Sequence, residues 1–190
     1  LLKWIFSRTF AAIVCCLGLL GGYLLSRSWD VFTTTFMHFF DWQSLGFFAL
    51  ALVAVKIVHE FGHAYTAKRY GLSVSHMGIA FLVMWPVLYT DASHAWLLTE
   101  RRQRLHIAAA GMLVELILAI LATVVWAFAP DGALRSVAFF VATASWVSTL
   151  LINLNPFMRF DGYYFLADWS GIGNLQDRSF EMGRWKLREW

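Results

Sequence analysis

The sequence predicts an all-α integral membrane protein of about four transmembrane helices, with a short re-entrant or β-hairpin segment between the second and third. Three observations predict it. Of the 190 residues 59% are hydrophobic and only 14% charged, with a mean hydropathy of +0.60, a balance that soluble domains rarely reach. Four apolar runs are long enough, or nearly so, to cross a hydrocarbon core of about 30 Å, which takes roughly 17 to 25 helical residues. A fifth apolar stretch is too short to cross and is interrupted by Pro86, which a helix interior tolerates poorly.

The first run, about Thr9 to Leu25, ends in Tyr23-Leu24-Leu25-Ser26-Arg27 without a small-x-small cleavage site, so a retained helix is expected rather than a signal peptide. Its Cys15 and Cys16 are adjacent in apolar sequence, which argues against a disulfide framework or a cysteine metal site and for helix packing. The second run, about Leu45 to Ala67, closes on Lys68, Arg69, Tyr70 and Gly71, a helix C-terminal signal. Between the second and third runs, Met77 to Thr90 alternates Ile79, Phe81, Val83, Trp85 and Val87 and could offer a strand edge. The third run, about Ile107 to Ala129, and the fourth, about Ala133 to Leu154, are joined by the tight turn Pro130-Asp131-Gly132. One membrane-embedded core domain over 1–190 is expected, and a first residue of Leu rather than Met fits a piece of a longer protein.

Basic residues orient such a chain, because loops rich in Lys and Arg stay cytoplasmic. With four spans, one side collects Lys3, Arg8, Lys68, Arg69, Arg101, Arg102, Arg104, Arg159 and the basic residues Arg178, Arg184, Lys186 and Arg188; the other holds Arg27 and Arg135. Both termini are therefore expected in the cytoplasm. The net charge of +3 reads as a topology signal, and the cluster Arg101-Arg102-Gln103-Arg104 is expected to meet membrane lipid headgroups rather than nucleic acid.

Inside the second run stands His59-Glu60-Phe61-Gly62-His63. Residues four apart share a helix face, so His59 and His63 can present two imidazoles to one Zn²⁺, with Glu60 beside the water that the ion activates. A chance match with histidines bonded to their neighbours is the bland alternative. Three ionisable groups within five residues at membrane depth are costly, however, and such groups mark functional cavities by default. The basic-residue count puts the motif one to two turns from Lys68, nearer the cytoplasmic end of its helix, where water enters most easily.

A catalytic zinc site needs a third protein ligand and an open position. A metzincin would place another His six residues after the second, but that position is Arg69, which excludes the class. Glu100 lies among arginines at the expected interface. Asp161 is the better candidate, since it follows the fourth run at a depth comparable to His63, and Pro156 and Gly162 allow the backbone to turn it inward. Asp168 ranks behind it. Asp91 with His94 could form a second site, although Asp91 capping a helix near Ala92 is the plainer reading. His38, His76 and His106 sit near membrane boundaries and receive no ligand assignment.

His59 to His63, Asn155-Pro156 and Asp161-Gly162 together resemble the site-2 protease family of intramembrane zinc metalloproteases, over most of the chain. The string Asp161-Gly162-Tyr163-Tyr164-Phe165-Leu166-Ala167-Asp168 followed by Gly171-Ile172-Gly173-Asn174-Leu175 is similar to its bacterial peptide zinc metalloprotease branch. The resemblance implies one Zn²⁺ held by His59, His63 and Asp161, Glu60 as general base, hydrolysis of membrane-protein or peptide substrates, a bacterial inner membrane and a secretion-adaptor partner. It also keeps a non-proteolytic zinc-binding component of a peptide secretion or transport system as the alternative. The third span departs from the family, reading Gly111-Met112-Leu113-Val114-Glu115 where a Pro and a polar amide usually follow the Gly. Gly111 and Asn155 are thus candidates for substrate contact or ligand support. Glu115 and Lys56 are charges inside apolar spans, and an unpaired buried charge costs several kcal/mol. Lys56 is expected to find Glu115 or the zinc-site carboxylates, or else the water of the active-site cavity.

Overall fold

A computed structural model describes residues 7–37, 42–82, 85–91 and 93–189. The chain runs through α1 (Arg8–Arg27), α2 (Trp29–Met37), α3 (Trp42–Arg69), a hairpin of β1 (Met77–Leu82) and β2 (Trp85–Thr90), a 3₁₀ turn (Ser93–Leu97), α4 (Arg101–Phe128), α5 (Ala133–Val147), a π-helical turn (Ser148–Asn153), α6 (Asp161–Ser170) and α7 (Leu175–Arg188). Four helical stretches are long and apolar enough to cross a membrane: Arg8–Arg27, Ser44–Arg69, Arg101–Phe128 and Ala133–Asn153. These are the four expected spans: the first two run on at both ends and the third at its N-terminal end through polar residues, while the third and fourth each stop one residue short of the expected end. The short segment between the second and third is a β-hairpin, antiparallel from Met77 opposite Thr90 to Leu82 opposite Trp85. Val83 of the expected alternation, and His38 and Lys3, lie outside the described residues.

Local chemistry explains the boundaries. Ser7 caps α1 by accepting from the Phe10 amide at 3.1 Å. Gly71, at φ 80°, ends α3 in the left-handed conformation, and the Leu72 amide bonds back to the carbonyl of Ala67.

The residues divide into two compact units: Leu1–Val58 with Leu113–Thr149, and His59–Met112 with Leu150–Trp190. In the first unit, buried Trp126, Ala138 and Phe139 gather Leu25, Phe32 and Phe48. Phe32 meets Trp126 edge-on at 5.6 Å, and the Arg135 guanidinium lies over the same indole. A neighbouring cluster joins Ala51, Val55 and Ala144. Gly18 and Gly21 let α1 approach α4 closely, since a Cβ on either would come within 3.3 Å of Ile120 or Val124. Leu19, Leu50 and Leu151 are exposed, as apolar side chains facing lipid tails must be.

The first unit also contains an ionic cluster. Lys56 Nζ donates to Glu115 Oε1 at 2.9 Å, and Glu115 is fully buried. Ser148 Oγ donates to the same oxygen at 3.0 Å and Thr149 Oγ1 to Oε2 at 2.8 Å. Lys56 thus meets Glu115, one of the partners expected for it. Two hydroxyls from the start of the π-helical turn also donate to the carboxylate.

Candidate metal centre

The second unit brings together the C-terminal half of α3, the N-terminal half of α4 and the start of α6. The i, i+4 spacing on α3 stacks the His59 and His63 rings with centroids 4.8 Å apart, and both residues are buried. Asp161 is the first residue of α6, where the helix dipole favours a carboxylate. Its Oδ2 lies 3.0 Å from His59 Nε2 and 3.2 Å from His63 Nε2, and the two Nε2 atoms are 3.1 Å apart. No other group of three or more His, Cys, Asp or Glu among the described residues converges in this way.

Neighbouring residues set the orientation of each donor. His63 Nδ1 lies 2.8 Å from the carbonyl oxygen of Ile107. A carbonyl only accepts, so Nδ1 carries a proton, the tautomer that leaves Nε2 free to act as a ligand atom. His59 Nδ1 is 3.5 Å from the side-chain amide of Asn153. Asn155, two residues further on, instead accepts from the Phe157 amide at 2.9 Å and shapes the loop before α6.

Gly111 makes room for this arrangement. A Cβ there would stand 2.5 Å from His59 Nε2 and would also collide with His63 Nε2. Four residues before it, Ile107 offers its carbonyl on the same cleared face of α4. Gly162 has a comparable role: a Cβ would come within 2.5 Å of the carbonyl oxygen of Asn153. Its value is close packing of α6 against the end of the π-helical turn, rather than the backbone turn that the sequence suggested.

Burial pushes the Asp161 carboxyl up, but hydrogen bonds and charge from His59 and His63 outweigh it and hold the group well below the usual carboxylate range. The carboxylate is therefore ionised at neutral pH. With both Nε2 atoms unprotonated, two imidazole lone pairs and a carboxylate oxygen would converge at hydrogen-bond distance, a donor set suited to a cation. A tetrahedral ion with bonds of about 2.0–2.1 Å holds its ligand atoms about 3.3 Å apart. The edges of 3.0, 3.1 and 3.2 Å match that spacing, so the donor set fits zinc. Glu60 stands just outside the triangle, its Oε1 4.0 Å from His59 Nε2.

The other sequence candidates lie elsewhere. Asp91 is paired with His76 at 3.7 Å, and His94 Nδ1 approaches the Ser73 carbonyl at 3.1 Å. His106 Nδ1 meets the Tyr70 hydroxyl at 2.5 Å. Asp168 bonds to arginines: Arg104 Nε at 3.2 Å on its carboxylate and Arg101 Nε at 2.6 Å on its carbonyl. Two members of the expected headgroup-binding cluster thus have a protein partner. The hairpin is fastened to the site by Thr90 Oγ1, which donates to the Glu60 carbonyl at 3.1 Å. Sequence reasoning passed over Asn153, the Ile107 carbonyl and Thr90, and only Asn153, two residues before the Asn155-Pro156 pair, had a nearby signal.

Residues 47–152, more than half of the chain, match Peptidase family M50. The chain is also similar to a Bacillus subtilis (strain 168) protein named "Putative peptide zinc metalloprotease protein YydH", at 22% identity over 153 residues, which are 80% of this chain and 56% of that protein. The chain thus spans about half the length of this curated relative. No solved structure matches it.

Proposed function

The chain belongs to peptidase family M50, the site-2 protease family of membrane metallopeptidases, and from that premise we propose that it is an integral membrane zinc protease that hydrolyses peptide bonds of membrane-associated or transmembrane substrates. The observation that carries this reading is the triangle of His59 Nε2, His63 Nε2 and Asp161 Oδ2 with the Glu60 carboxylate beside it. His59, His63 and Asp161 would hold the ion. When bound there, zinc supplies Lewis acidity that lowers the pKa of water and polarises the scissile carbonyl. Glu60 takes the proton from the attacking water and returns it to the leaving amine. The Ile107 carbonyl keeps the His63 ring turned toward the ion position, the kind of support that fixes tautomer and orientation, and the Asn153 side chain lies against the His59 ring.

The substrate must be locally extended, because a helix conceals its peptide bonds. The hairpin offers it an edge. Met77, Ile79 and Phe81 of β1 are exposed, and Thr90 ties the same hairpin to the carbonyl of Glu60. An extended peptide added to such an edge gains main-chain hydrogen bonds, with alternate side chains setting preference. The excess of basic residues beside the motif's end of α3 supports a site nearer the cytoplasmic face, and a bacterial inner (cell) membrane is the location that the family resemblance suggests. A secretion adaptor is the partner class that the resemblance suggests.

The second reading, a zinc-binding secretion or transport component without proteolysis, rests on the same resemblance. Glu60 favours hydrolysis, since a purely structural zinc site needs no base beside its first His. Metal content and cleavage of a transmembrane peptide by purified wild type, Glu60→Gln and Asp161→Asn separate the two. Zinc retained with cleavage lost in Glu60→Gln is expected. A folded, zinc-loaded wild type that cuts no peptide would favour the transport reading.

A further inference from the structure

We propose that Asp168, clamped by Arg101 and Arg104, is a positioning residue for the metal centre: it holds α6 so that Asp161 completes the ligand triangle. The inference rests on the reading of His59, His63 and Asp161 as zinc ligands.

The argument starts from spacing. Asp161 and Asp168 are seven residues apart on α6, about two turns, so their side chains leave the same face roughly 10 Å apart along the axis. Arg104 and Gly111 are also seven residues apart on α4 and share a face with Ile107 between them. Gly111 and Ile107 receive the histidine pair that contacts Asp161. Arg104 receives Asp168. The two helices are therefore matched in opposite directions, with equal intervals separating the metal end from the arginine end.

The clamp has several bonds. Arg104 Nε donates to Asp168 Oδ1 at 3.2 Å, while its Nη1 donates to the Leu98 carbonyl at 2.7 Å, which fixes the guanidinium from both sides. Arg101 Nε donates to the Asp168 carbonyl at 2.6 Å. That carbonyl lacks its helical partner, because α6 ends at Gly171 (φ 74°) and the Ile172 amide turns back to the carbonyl of Ala167. At the other end, Gly162 packs against the carbonyl of Asn153. A helix of 10 residues held at both ends neither rotates about its axis nor slides, and either motion would carry Oδ2 of Asp161 out of the triangle.

The test measures zinc release from the full chain into a chelator, with zinc alone as the probe. Asp168→Asn and Arg104→Gln are each expected to release zinc about ten-fold faster than wild type, the scale on which groups supporting a metal ligand act. The double variant should be no faster than either single change. Asp168→Glu, which keeps the charge, should recover most of the retention, and a role confined to stability would not follow charge in this way. Release at the wild-type rate from both single variants, or rates that multiply in the double variant, would overturn the clamp. Asp161→Asn separates the two levels: if it keeps zinc as wild type does, the ligand assignment itself fails. If it loses zinc while Asp168→Asn and Arg104→Gln keep it, the clamp alone fails.

Discussion

Two ionic clusters among the described residues each centre on a carboxylate and differ in what that carboxylate meets. In the first unit the Glu115 carboxylate receives three donors, Lys56 Nζ, Ser148 Oγ and Thr149 Oγ1, so each of its oxygens faces a hydrogen. In the second unit one Asp161 oxygen and the Nε2 atoms of two imidazoles converge across 3.0 to 3.2 Å. The first cluster is complete as it stands, which is what a structural polar group in an apolar setting requires. The second converges three metal-ligating atoms on one point, a donor set that fits a cation. Burial and charge alone do not distinguish a structural site from a functional one; the balance of donors and acceptors does.

That contrast can be broken most severely at Glu60. Glu60→Gln is expected to lower peptide cleavage by about 10²- to 10⁴-fold, the usual contribution of a general acid–base group, while zinc content measured by atomic absorption stays near one ion per chain. A variant that loses the metal as well would move Glu60 into the ligand set. Next in size is the structural cluster. Lys56→Met alone leaves Glu115 buried beside two neutral hydroxyls and should destabilise by about 3–5 kcal/mol. Lys56→Met with Glu115→Gln should cost much less than the sum of the two single changes in a denaturation cycle, and additive costs would show that the pair does not interact.

Gly111→Ala offers a finer probe of the metal cluster. The added methyl has no space between the rings, so an overpacking cost of about 1–3 kcal/mol is expected together with reduced zinc occupancy. Full occupancy at wild-type stability would mean that the rings can retreat from α4. The smallest effect expected is at the hydroxyls. Ser148→Ala and Thr149→Val should each cost about 1 kcal/mol, measured by the same denaturation, since Glu115 keeps its lysine in either case.

The parts of this architecture legible in the sequence were those governed by solvent and by local period. Apolar length marked the four spans, Pro86 and a short run marked the hairpin, and Gly71 marked the end of α3. Helical period alone put His59 and His63 on one face. The cost of burying charge put Glu115, 59 positions away, among the expected partners of Lys56 without choosing it over the zinc-site carboxylates or cavity water. What could not be read depends on backbone atoms and on register between distant segments. The Ile107 carbonyl has no side-chain signature, and Asn153 reaches His59 from the end of a π-helical turn that no residue pattern announces. Short α2, α6 and α7 lack the length that made the spans visible, and the partnership of Asp168 with Arg101 and Arg104 spans more than 60 positions.

If substrate pairs with the hairpin as proposed, the bond from Thr90 to the carbonyl of Glu60 would make the hairpin a ruler. One residue bears the carboxylate at its side chain and, through its main chain, anchors the strand pair. A peptide lying along that strand would advance about 3.4 Å per residue and turn alternate side chains to opposite faces. Its cut would then fall at a set count from the residues seated on Ile79 and Phe81, and a slip in register would move the cut by two residues rather than one.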